Sequence, residues 1–170
     1  MTNRSMTQNT DIKQPILSNF TVRLLTAIVL IPIGLVGARI GGVIWTAMLS
    51  IVVIVAAIEF YLMASGRWSQ GSAVTGVPMA LGVLLAFHVE NAILVPVVIG
   101  IGAVLTFVWE YLRHPSDLNQ CLWQAITTVA GVLYVGVPIG AMIALRNKPD
   151  GFLWIIVLLA VTWGTDTFAY

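Results

Sequence analysis

The sequence predicts an all-α fold: a polytopic bundle of about six transmembrane helices. Three observations lead there. Hydrophobic residues make up 59% of the 170 positions and charged residues only 9%, against about 25% charged in an average soluble domain. The mean hydropathy is +0.96. The few charges are not spread along the chain but cluster between long apolar runs. Too little charge exists to cover the surface of a soluble globule, so a soluble enzyme, a disordered chain and a basic nucleic-acid binder are excluded. A net charge of +1 offers no field for nucleic acid. The lone Cys121 excludes an internal disulfide framework and reads as a buried apolar residue.

Residues 1–21 form a polar N-terminal tail carrying Arg4, Asp11 and Lys13, without the layout of a cleaved signal peptide. Residues 22–170 form the transmembrane domain. A hydrocarbon core of about 30 Å needs about 20 helical residues, and splitting the chain at charges and turn residues yields six runs. Run one is Val22 to about Ala38, closed by Arg39 and Gly41-Gly42. Run two is Val43 to about Ala64, closed by Ser65-Gly66-Arg67. Run three is about Ala73 to Phe87, closed by His88, Glu90 and Asn91. Run four is Ala92 to Leu112, closed by Arg113-His114-Pro115. Run five is about Leu122 to Leu145, closed by the stretch from Arg146 to Gly151. Run six starts near Phe152 and is still apolar near Tyr170.

These runs exceed the roughly 9–11 residues of a barrel strand and lack apolar/polar alternation, so they are helices. Pro32, Pro78, Pro96 and Pro138 are compatible with membrane helices whose neighbours satisfy the freed carbonyls. Gly131, Gly136 and Gly140 are expected to let helices approach closely. Arg4, Lys13, Arg23, Arg67 and Arg113 fall on the tail side, and Arg39, Arg146 and Lys148 on the other. The tail side is therefore expected to be cytosolic.

A charge at a helix centre costs roughly 2.5–3.5 kcal/mol on insertion scales, so each embedded carboxylate is a functional candidate. Glu59, Glu110 and Asp166 all fall toward the tail side. Glu59 and Glu110 lie near helix ends beside aromatics and read as structural, with Glu110 expected to pair with Arg113 at i+3. The two segments share a short likeness, too short to make a repeat. Asp166 sits deep in run six, among Thr162, Thr165 and Thr167, with Gly164 leaving room for an approaching group. An aspartate there can hold a hard cation, accept a proton or pair with a base. His88 reads as interfacial and His114 as a loop residue. No phosphate-binding loop, nucleophile elbow or paired-histidine metal motif is present.

The stretch Ala130-Gly131-Val132-Leu133-Tyr134-Val135-Gly136-Val137-Pro138, then Arg146, Trp154 and Val161 to Tyr170 with Trp163-Gly164-Thr165-Asp166-Thr167-Phe168-Ala169-Tyr170, resembles the middle of bacterial phosphatidate cytidylyltransferases, the CDP-diacylglycerol synthases. Arg23-Leu24-Leu25-Thr26-Ala27, Pro32 and Glu59-Phe60-Tyr61 fit the front of that family. The resemblance implies condensation of CTP with phosphatidate to CDP-diacylglycerol and pyrophosphate, with Mg²⁺ as cofactor. It implies Asp166 as catalytic residue and metal ligand and Thr167 as its cofactor-binding neighbour. It places the chain in the inner (plasma) membrane with a cytosolic N-terminus. The partners are the two substrates and the lipid bilayer, with no nucleic acid; a homodimer stays open.

The apolar run is uninterrupted at Tyr170, and the family's segment rich in Lys, Asp, His and Gly lies further on. The 170 residues are therefore expected to be the N-terminal part of a longer protein. Two other readings stand beside the enzyme. In one, Glu59, Glu110 and Asp166 are a proton or cation relay in a transporter. The other is a lipid-kinase-like enzyme, differing in nucleotide and product. Polypeptide 1–170 alone is expected to form no CDP-diacylglycerol from CTP and phosphatidate; product above background in a radiolabel assay overturns this.

Overall fold

The computed structural model describes the backbone of residues 30–65 and 70–168, and the side chains except those of 65, 70–72 and 166–168. The expected tail, 1–21, and the start of run one lie outside the described residues. The chain divides into two units, Met1–Ile33 and Gly34–Tyr170. Residues 30–33 of the first are helical; the packed bundle is the second.

Every described element is a helix, as the composition requires. The helices are α1 (Leu30–Ile40), α2 (Gly42–Ser65), α3 (Gln70–His88), α4 (Leu94–Arg113), α5 (Leu118–Gly131), α6 (Val137–Arg146) and α7 (Gly151–Phe168). A five-residue π-helical segment, Val132–Gly136, joins α5 to α6. Run five is thus one continuous rod, Leu118–Arg146. It begins four residues before the expected Leu122 because Asp117 caps it, its Oδ1 accepting the Gln120 N–H at 3.0 Å. The π turn has a local cause. Pro138 has no N–H and its ring crowds the carbonyl four residues back, so the chain widens there. The Val137 N–H accordingly reaches the Val132 carbonyl.

Three of the expected crossings, Gly42–Ala64, Leu94–Arg113 and Leu118–Arg146, are long and apolar enough to span a membrane. The other three are shorter over the described residues: Leu30–Ile40, Ala73–His88 and Gly151–Thr165.

The turn between α1 and α2 is a single residue. Gly41 and Gly42 have φ of +72° and +56°, a region where a Cβ meets the following carbonyl. Gly37 then lies so close to Met48 that an added Cβ would come within 2.2 Å of its sulfur. Arg146, from the far end of α6, closes the turn. Its Nε donates to the Ala38 carbonyl and its Nη2 to the Arg39 carbonyl at 2.9 Å. These are carbonyls that a helix end leaves unpaired. The cation expected in a loop is therefore a helix cap in the fold.

α3 is the centre of the bundle, touching α2, α4, α5, the π segment and α6. Ala80, Val83 and Leu84 on it are fully buried, with Val53, Val132, Ile143 and Ile155 around them. Small residues make this possible. A Cβ on Gly136 would lie 3.3 Å from Ala80, and one on Gly140 would lie 2.4 Å from the Phe87 ring. The expected close approaches at Gly131, Gly136 and Gly140 are all present. At the Arg146 end, Thr46 Oγ1 and His88 Nδ1 are 2.9 Å apart, and Trp45 Nε1 reaches the Met142 carbonyl at 3.5 Å. At the opposite end Tyr61 is wedged between α3 and α5. Its hydroxyl donates to the Thr128 carbonyl at 2.9 Å, which the Val132 N–H also approaches. A Cβ on Gly76 or Gly131 would come within 2.2 or 2.6 Å of the Tyr61 ring or hydroxyl.

These contacts set the expected stabilities. Gly76→Ala and Gly131→Ala each overpack the wedge and lower the unfolding free energy in detergent micelles by about 1–3 kcal/mol. Tyr61→Phe keeps the packing, loses one hydrogen bond and costs about 0.5–1.5 kcal/mol. Equal cost for all three would contradict the wedge.

Candidate functional site

The contacts fix which ends of the helices lie together. Tyr61, near the end of α2, meets Gly76 near the start of α3. Val74 and Thr75 share a groove with Leu105, so the start of α3 lies beside the second half of α4. α2 and α4 therefore end, and α3 and α5 begin, on one side of the bundle. This is the side to which the sequence assigned the three carboxylates.

The two glutamates differ in surroundings despite their similar segments. Glu59 is exposed on α2. The next residue, Phe60, packs against Tyr61 edge-on, with centroids 5.5 Å apart, and against Tyr134 of the π segment at 5.8 Å. Glu110 is 3% exposed on α4, one turn after the fully buried Thr106. Its Oε1 has no hydrogen-bond partner. The expected Glu110–Arg113 pair is absent. The Arg113 guanidinium instead lies over the Trp109 ring, 5.6 Å from its centroid, on the outward face of the helix, while Glu110 turns inward. Thr106 does not reach Glu110 either; its hydroxyl donates to the Gly102 carbonyl at 2.8 Å.

The backbone of Asp166 and Thr167 continues α7 to Phe168; their side chains lie outside the described residues. α7 packs on α6 through the buried Ile155. From Ile156 to Thr165 it is exposed except at the half-buried Leu159 and Gly164. Of the three hydroxyls expected around Asp166, those of Thr162 and Thr165 are engaged by their own helix. Thr162 Oγ1 donates to the Leu158 carbonyl at 2.9 Å, and Thr165 Oγ1 lies within donor distance of the Val161 and Thr162 carbonyls. Gly164 is open, with nothing within 4 Å of an added Cβ. Among the described residues no three His, Cys, Asp or Glu side chains come together as a metal centre.

Of the polar residues read as structural, Cys121 is buried with its Sγ 3.6 Å from the His114 carbonyl. The residues the sequence undervalued are Glu110, Tyr61 and Arg146. Gly102, Thr106 and Glu110 at four-residue spacing form a small-to-polar stripe on an otherwise apolar helix, the signal that marks the inward face of α4.

The described residues form a helical bundle with three helices long and apolar enough to cross a membrane, consistent with a membrane protein. The chain belongs to the cytidylyltransferase family, which matches it over residues 21–170 and is the family of the CDP-diacylglycerol synthases. It is a CTP-using transferase. No curated protein and no solved structure matches it significantly.

The inward carboxylate yields a direct test. Glu110→Gln keeps the shape and removes the charge, so it is expected to leave thermal stability in micelles unchanged or raise it by about 1 kcal/mol. Glu110→Ala opens a cavity and lowers stability by about 2 kcal/mol or more. A loss with Gln as large as that with Ala would give Glu110 a charged partner.

Proposed function

We propose that the protein is a membrane-embedded phosphatidate cytidylyltransferase, which condenses CTP with phosphatidate to CDP-diacylglycerol and pyrophosphate at the cytosolic face of the inner (plasma) membrane. The observation that carries this reading is the family match over 21–170, together with the three helices able to span a bilayer. The Lys/Arg distribution supports a cytosolic N-terminus.

The chemistry explains why such a protein needs a bundle of this kind. A phosphate oxygen of phosphatidate forms a bond to the α-phosphorus of CTP. The bond from that phosphorus to the bridging oxygen of the β-phosphate breaks, and pyrophosphate leaves with the electron pair. One reactant stays in the leaflet and the other arrives from water, so the site belongs near the end of the spanning helices. α7 leaves the tight turn after Arg146 and runs back along α6. Asp166 lies 15 residues beyond Gly151, about 22 Å along the helix, a length that supports a site on the side where α2 and α4 end. Asp166 is the carboxylate we assign to Mg²⁺, with Thr167 beside it, on the strength of the sequence pattern. The family match favours this reading over a transporter.

The test is CDP-diacylglycerol formation by the full-length protein in phosphatidate-containing vesicles. Asp166→Asn is expected to lower turnover by at least about 100-fold and to weaken Mg²⁺ or Mn²⁺ binding in parallel. Near-normal turnover at saturating Mg²⁺ would remove Asp166 from the site, and an alternative CTP-derived product would replace phosphatidate as substrate.

A further inference from the structure

A pocket of about 240 Å³ opens at the Arg146 end of the bundle, between the α3–α4 turn and the end of α6. Its floor is apolar: Ala86 is buried, and Phe87 and Ala144 are half-buried. The short side chains of the two alanines leave the space, and the Phe87 ring packs over Gly140. Its rim is polar and exposed, with Glu90 and Asn91 from the turn and Lys148 from just beyond α6. Glu90 and Lys148 line one pocket yet form no ion pair with each other. Asn91 Oδ1 accepts the Ile93 N–H at 3.2 Å, which leaves its NH2 group to donate elsewhere.

Glu90 stands where a glycine is expected. α3 closes with two paired bonds, from the Asn91 N–H to the Ala86 carbonyl and from the Glu90 N–H to the Phe87 carbonyl, each at 3.2 Å. This closure puts one residue in the left-handed region, where Gly is usual, and Glu90 has φ of +56°. A residue with a Cβ is strained there. The chain thus carries a carboxylate at a point where the backbone favours no side chain, and strain of this kind gathers at ligand-binding sites. The carboxylate also lies beside the C-terminal ends of α3 and α6, whose free carbonyls carry partial negative charge. That corner of the pocket attracts a cation, and Lys148 across the rim attracts an anion.

The level of the pocket narrows the ligand. α4 starts and the rod Leu118–Arg146 ends beside it, so the rim stands at the end of the spanning helices, where lipid headgroups lie. This is the end opposite to the one where α2 and α4 terminate, apart from the site proposed for CTP. The volume is below the roughly 300–1,000 Å³ of drug-sized sites, which suits a headgroup rather than a nucleoside triphosphate. We infer that this pocket binds a zwitterion carrying an ammonium and a phosphate, as in the headgroup of phosphatidylethanolamine, with Glu90 taking the ammonium and Lys148 the phosphate.

The test titrates the full-length protein in dodecyl maltoside micelles with phosphatidylethanolamine, phosphatidylglycerol and soluble phosphoethanolamine, and reads Kd by native mass spectrometry. Phosphatidylethanolamine is expected to bind at least about tenfold tighter than phosphatidylglycerol, which has the phosphate without the ammonium. Glu90→Gln and Lys148→Gln should each weaken it about tenfold. Glu90→Gly should weaken it as much while raising the melting temperature, because glycine relieves the strained φ; a residue serving the fold alone would not move binding. Tighter binding of the lipid than of phosphoethanolamine assigns the ligand to the membrane, and equal binding assigns it to solution; either sustains the zwitterion. Equal affinity for phosphatidylglycerol, or affinity unchanged by Glu90→Gly and Lys148→Gln, overturns the inference.

Discussion

The wedge of Tyr61 between Gly76 and Gly131 holds the arrangement of this bundle. In apolar surroundings, helices gain little from burying hydrocarbon against one another; close packing and hydrogen bonds must hold them. Tyr61 supplies both. Its ring takes the space left by two absent side chains, and its hydroxyl finds a carbonyl at the point where α5 gives way to the π turn. One residue thereby fixes the spacing of α2, α3 and α5. The far end of the bundle is held by polar contacts instead: Thr46 with His88, and Arg146 with the last carbonyls of α1. Apolar layers on α3 fill the space between.

This frame explains why two similar acidic segments lead different lives. Glu59 and Glu110 both precede an aromatic residue near a helix end. On α2 the inward positions are Val53, Ala57 and Tyr61, so Glu59 falls outside them. On α4 the inward stripe runs through Thr106 to Glu110, and Arg113 stays outside on Trp109. Which face a helix turns inward is decided by its neighbours, and a three-residue spacing to an arginine does not overrule it.

The reaction proposed for the chain uses the same frame. A transferase joining a bilayer lipid to a soluble nucleotide must hold the lipid by its chains and present the head at the surface. α3 and α4 leave an apolar groove between them, and α7 carries the aspartate proposed for the site. The rod formed by α5, the π segment and α6 links the two, because α3 packs along the rod and α7 returns along its second half.

Local signals in the chain are enough for the helical class, the limits of α4 and the starts of α2 and α7 to within about two residues, the glycine turn and the family. Those signals are apolar run length, charge at the run ends, a glycine pair, and a motif. Packing between helices settled the rest. Arg146 caps α1 from 107 residues away, Tyr61 joins three helices, and Glu110 faces inward without Arg113. Pro138 widens the chain into a π turn rather than breaking it, so run five stays whole. One cause lies behind the first three, whereas the π turn follows locally from Pro138. A hydrogen bond, a close approach or a buried charge is settled by what stands opposite, and in an almost uniformly apolar sequence no periodic pattern says which face that will be.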